Sequence, residues 1–194
     1  MTEIITASLV AILLQNSVFE RALGINVLIY SARDMKKTAV FALVITAASS
    51  LGAVGAFFLR QHFGTEKYYS IFQPLLFIII VSVLYMASLF TIWRVSPSLF
   101  KRIRPYAHLS VFNCAVIGAM FLAPRLTDTW YAAAAYGFGT GVGFLFAGFM
   151  LRIAYSRLHS ELVPKAFRGF PISMLYIGCV SLALYAFIGY STTI

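Results

Sequence analysis

Six apolar runs, each about as long as a helix needs to cross a bilayer, occupy most of this chain and leave little room for any other fold. Roughly 20 apolar residues carry a helix across the hydrocarbon core. The runs lie approximately at Ile4–Tyr30, Thr38–Leu59, Ile71–Trp93, Pro105–Ala123, Trp130–Leu151 and Pro171–Tyr190. With no water to satisfy the backbone, a spanning segment must be a helix or a barrel strand. These runs are continuously apolar rather than alternating, which selects helices. At 61% apolar and 11% charged residues, with a mean hydropathy of +0.87, the chain has too little polar surface for a water-soluble globule. The connections are short, so residues 1–194 read as a single integral membrane domain. Glu3 stands where a cleaved signal peptide would be positive, and no small-residue cleavage site follows, so the N-terminus is expected to be retained.

Orientation follows from the basic residues. Eleven of the fifteen Lys and Arg fall after runs one, three and five: Arg33, Lys36 and Lys37, then Arg94, Lys101, Arg102 and Arg104, then Arg152, Arg157, Lys165 and Arg168. The other side holds Arg60, Lys67 and Arg125, and Arg21 lies inside the first run. The positive-inside rule makes the odd connections cytoplasmic and puts both termini on the outer face. Topology thus accounts for the net charge of +9, and no nucleic-acid partner is required. The same arginines suit an anionic lipid surface or a docked cytoplasmic protein.

The first run is longer than a straight crossing needs, and its second half contains Gln15, Asn16, Ser17, Glu20, Arg21, Gly24 and Asn26. A lipid-facing helix would not carry these, so the segment is buried against protein or broken at membrane depth. The fourth run has a similar interruption at Ser110, Asn113 and Cys114, and Ser17-Val18-Phe19 is echoed by Ser110-Val111-Phe112. With three runs per half, residues 1–95 and 96–194 would insert with opposite orientation. The expected fold is therefore six transmembrane helices in two inverted three-helix repeats, an all-α membrane protein with helices 1 and 4 discontinuous. A chance echo between two polar clusters is the competing reading, and the sequence leaves both open.

Individual residues carry several readings. Cys114, near the middle of an uncharged run, is either a small packing residue or a metal ligand. Cys179 aligns with no partner and is expected to pack. Gly137 with Gly141, and Gly139 with Gly143, form two small-xxx-small pairs that let helices approach closely. Glu20, the one acid well inside a run, is a candidate for an ion pathway, as is Asn113. Against that, the adjacent Arg21 can serve simply to anchor the helix. His62 and His159 fall in connections without zinc-ligand spacing. No nicotinamide fingerprint or Cys-rich ferredoxin run is present.

The words Asn113-Cys114-Ala115-Val116-Ile117-Gly118, Tyr136-Gly137-Phe138-Gly139 and Val163-Pro164-Lys165-Ala166-Phe167-Arg168-Gly169, with Leu23-Gly24, Ser31 and Lys36-Lys37, resemble the RnfA family of the Rnf electron-transport complex and its counterpart NqrE. The resemblance covers essentially the whole chain. It implies a component of a prokaryotic inner-membrane translocase coupling ferredoxin and NAD electron transfer to sodium or proton transport. This chain would hold no complete active site alone. The implied partners are a homologous RnfE- or NqrD-like subunit, paired antiparallel, and the B, C, D and G subunits of the Rnf complex. The resemblance also implies an intramembrane [2Fe-2S] cluster shared with the homologue, two cysteines coming from each of the pair. Cys114 matches one ligand position. Asn26 occupies the other, in Leu23-Gly24-Ile25-Asn26-Val27-Leu28, where the family has Leu-Gly-x-Cys-Pro-Phe, and His108 stands where the family has proline. Three outcomes remain open: three cysteines plus another group hold the cluster, the cluster is lost, or the chain is a divergent paralogue. The alternatives in function are a cluster-free scaffold subunit or a small inverted-repeat ion or solute transporter.

Overall fold

A computed structural model describes residues 2–64, 68–95, 100, 106–161 and 163–188. Lys67, Lys101, Arg102 and Arg104, and the run boundaries at Pro105 and Tyr190, lie outside the described residues. Helix α1 (Thr2–Leu9) continues into a π-helical turn (Val10–Leu14), and an irregular stretch leads to α2 (Ile25–Ser31). Then come α3 (Met35–Phe63), α4 (Tyr69–Val95), α5 (106–111), α6 (Cys114–Leu126), α7 (Trp130–Leu158), a 3-10 turn (Lys165–Phe167) and α8 (Phe170–Ile188). Among the described residues there is no strand.

The first and fourth apolar runs are both interrupted, as their polar clusters predict. Four spans are long and apolar enough to cross a membrane: Met35–Phe63, Tyr69–Arg94, Tyr106–Leu126 (broken at residues 112–113) and Trp130–Leu158. The first and sixth runs are represented by the shorter apolar helices Glu3–Leu14 and Phe170–Ala186.

Helix α7 is the centre of the bundle, and its glycines explain how. A Cβ on Gly137 would lie 2.6 Å from the Ser50 Cα of α3, and one on Gly141 would lie 2.6 Å from the Thr46 Cα. On another face, a Cβ on Gly139 would lie 2.6 Å from the Ser8 carbonyl oxygen of α1, and one on Gly143 would lie 2.8 Å from the Asn16 Nδ2. The two predicted small-residue pairs therefore seat α7 against two different neighbours. Lipid removes the hydrophobic drive between helices, leaving close contact and hydrogen bonds to hold them. Ser49 supplies one, donating from Oγ to the Gly137 carbonyl at 2.6 Å. Phe41, Phe77, Tyr136 and Phe144 are fully enclosed, while α4 turns Ile71, Leu75, Ile78, Val83, Met86 and Phe90 outward.

Several sequence expectations need correction. Helix α7 runs to Leu158, so Arg152 and Arg157 belong to its last turns rather than to a connection. His62 lies inside α3. Cys179, expected to pack, is exposed, as is Cys114.

Candidate cofactor site

The first break is organised by one carboxamide. Asn16 is 1% exposed, and its Oδ1 accepts from the backbone N–H of Val18 (3.0 Å) and Phe19 (3.3 Å). Its Nδ2 donates to the carbonyls of Ile12 (2.8 Å) and Gly143 (3.3 Å). One side chain thus satisfies the last helical turn, the first irregular residues and the central helix α7. The chain then reverses through Ala22 (φ 58°) and Gly24 (φ 79°), both in the left-handed region. Gly24 fits there because it has no Cβ to strain.

The second break is capped by Asn113, whose Oδ1 accepts from the Ala115 N–H at 3.0 Å. Serving as N-cap suits a short polar side chain that replaces a missing helical partner. The two breaks touch: a Cβ on Gly24 would lie 2.7 Å from the Asn113 Oδ1. Leu23 likewise fills the space that a Cβ on Gly118 would need. The Asn113 Nδ2 is buried and, among the described residues, has no hydrogen-bond partner.

A cavity of about 480 Å³ opens where the breaks meet, with Asn26, His108, Phe112, Asn113, Cys114 and Met174 in its walls. Two of the residues singled out from the sequence, Cys114 and Asn26, are therefore brought together although 88 positions apart, and Asn113 lies beside them. A second hollow of about 500 Å³ shares Cys114 and continues along α6 to Arg21 and Arg125. Glu20 is not in either wall. It pairs with Arg21 at 3.4 Å, on an exposed part of the break. Asn113 caps α6 through its Oδ1 and also lines the cavity.

Sequence reasoning marks His108 only as a departure from pattern; its place six residues before Cys114, across a helix break, is the signal that would make it a cavity residue. Asn16 is one polar residue among several in the sequence, and nothing local shows that its partners include residue 143. Chemically the cavity offers one thiol, one imidazole and two carboxamides. Among the described residues no group of three or more His, Cys, Asp or Glu could hold a metal ion.

Asn113→Ala should cost about 1 kcal/mol through loss of the cap. Unfolding of the purified protein in mixed micelles, followed by helical circular dichroism, measures it.

Interrupted helices packed around a glycine-faced central helix, with an outward-opening cavity at their junction, define a multi-pass membrane protein. The chain belongs to the Rnf-Nqr subunit family of membrane proteins, whose model matches residues 4–193. It is similar to the A subunit of the ion-translocating oxidoreductase complex of Shewanella denitrificans (strain OS217), with 30% identity over 195 residues, covering 97% of this chain and 98% of that protein. The corresponding A subunits of Vibrio vulnificus (strain YJ016) and Vibrio cholerae serotype O1 (strain El Tor Inaba N16961) are 24% and 25% identical over 189 residues, again covering 97% of this chain and 98% of each relative.

Proposed function

We propose that this protein is a membrane subunit of an Rnf-type ion-translocating oxidoreductase complex and contributes half of an intramembrane [2Fe-2S] site. The observation that carries the reading is the common cavity of Cys114, His108 and Asn26 at the junction of the two broken helices. Thiolate and imidazole are both established donors to iron–sulfur centres. A neutral amide is a poor one, so Asn26 weakens the set. Cys114 and His108 are two donors of the four that such a cluster needs, which leaves the others to a homologous RnfE- or NqrD-like partner.

When bound, the cluster would supply one-electron transfer between donors and acceptors on the two faces. This chain's part is to hold it and keep it dry. Leu109, Phe112 and Met174 give the cavity apolar walls, and a dry surround is one of the levers on cluster potential. Six spans as two inverted repeats, with both termini on the outer face of the inner membrane, complete the reading, supported by the matched breaks and the basic-residue asymmetry. Ferredoxin and NAD chemistry would belong to partner subunits, and sodium or protons would be the coupling ion.

The test is iron quantification and electron paramagnetic resonance on the reduced, purified complex. Cys114→Ser should remove one [2Fe-2S] component, whereas Asn26→Cys should leave it intact or strengthen it. An unchanged spectrum in a fully assembled Cys114→Ser complex would favour the cluster-free scaffold that Asn26 already suggests.

A further inference from the structure

A separate cavity of about 310 Å³, sharing no wall residue with the break cavity, lies between α1, α6 and α7, with Glu3, Val10, Thr127, Asp128 and Tyr136 in its walls. The chain has only six acidic residues against fifteen basic ones, yet two of the six line this one cavity. Among the described residues neither Glu3 nor Asp128 has a cationic side chain within ion-pair distance. The Glu3 carboxylate is held in place: its Oε2 accepts from the Thr129 hydroxyl (3.3 Å) and the Tyr131 hydroxyl (3.1 Å). A carboxylate has about four acceptor positions, so capacity remains after these two bonds. Independently of the acids, the wall residue Tyr136 is 1% exposed and its hydroxyl has no hydrogen-bond partner among the described residues. A buried hydroxyl without a partner costs on the order of 1–3 kcal/mol, and a small outward shift of the cavity wall would let a bound ion or its water relieve it.

We infer that this cavity is a cation site, taking a hard monovalent cation of the sodium class together with part of its hydration shell. The donors are all oxygen, from carboxylate and hydroxyl, which selects hard cations over thiolate- or imidazole-seeking metals. Since a water takes up about 30 Å³, the cavity has room for an ion with several waters. Calcium prefers six to eight oxygens closing directly on the ion, whereas here two carboxylates stand at an exposed rim and a single buried phenol lies deeper. That arrangement suits an ion that exchanges rather than one that is trapped. The inference rests on the reading that the complex moves an ion, and places one station of that ion on this chain.

The test uses the assembled complex in lipid nanodiscs, with thermal stability followed against sodium chloride and choline chloride at equal ionic strength. The double variant Glu3→Gln/Asp128→Asn should raise the half-saturating sodium concentration at least tenfold, and Tyr136→Phe should raise it several-fold while circular dichroism stays unchanged. Unchanged half-saturation in both variants, or stabilisation by calcium or magnesium but not sodium, would overturn the site. Sodium uptake into proteoliposomes separates the two readings. If uptake persists while the variants bind sodium normally, the site falls and ion translocation stands. If the variants lose binding but the unaltered complex transports no sodium, the site stands and translocation of that ion falls.

Discussion

Asn16→Leu should abolish the folded protein, and should do so far more completely than loss of any other single side chain in the first break. Leucine keeps the bulk but removes a carboxamide that serves four backbone groups: the N–H of Val18 and Phe19 and the carbonyls of Ile12 and Gly143. Each buried group left unpaired costs on the order of 1–3 kcal/mol, and the bilayer supplies no water to take over. The Gly143 carbonyl, inside α7, keeps its helical bond, and even at the low end of that range about 3 kcal/mol for the other three groups is a large share of a domain's net stability. The measurement is membrane yield, monodispersity in detergent and protease resistance beside the unaltered protein. Asn113→Leu is the internal comparison, because Asn113 makes one capping bond where Asn16 makes four interactions. If the two variants are equally stable, the first break is held by something other than its carboxamide.

The second large effect is expected at Gly137. Gly137→Ala places a methyl group against the Ser49 carbonyl and 2.6 Å from the Ser50 Cα, and this is backbone that cannot swing aside. It also strains the 2.6 Å bond from Ser49 to the Gly137 carbonyl. Overpacking of this kind costs about 1–3 kcal/mol, and more where helix axes must separate. Alanine's better helix propensity returns about 1 kcal/mol at most. Gly178→Ala supplies the control: a Cβ there meets nothing within 4 Å, so the change should be neutral or slightly stabilising. Denaturation of both variants in the same micelles decides the matter, and equal midpoints would mean that the α3–α7 contact is looser than its geometry.

Much of this architecture is written locally in the chain. Apolar run length locates membrane-crossing segments, the polar clusters at residues 15–26 and 110–114 locate the breaks, and four glycines at alternate positions mark a helix packed on two sides. Other features are not local. The seven residues by which α7 outruns its expected end at Leu151 include two arginines and a serine, and helical hydrogen bonding does not stop where the apolar run does. Cys114 and Asn26 can be paired from sequence only through a resemblance, since their meeting depends on Gly24 packing on the Asn113 carboxamide. The cavity at Glu3 and Asp128 is invisible in the sequence for the same reason, because its walls come from three helices joined only in the fold.

Helix α8 carries one further consequence, for the order in which the chain can be completed. Its Ser181 hydroxyl donates to the Phe19 carbonyl at 2.5 Å, joining residues 162 positions apart. During synthesis the first interrupted segment reaches the membrane while the residue that closes it has yet to be made. The Phe19 carbonyl must therefore wait, held by water, lipid headgroup or insertion machinery, until Ser181 has emerged. A nascent chain arrested before α8 presents that carbonyl as an open acceptor, a mark at its first break by which quality control can tell that α8 has not yet docked.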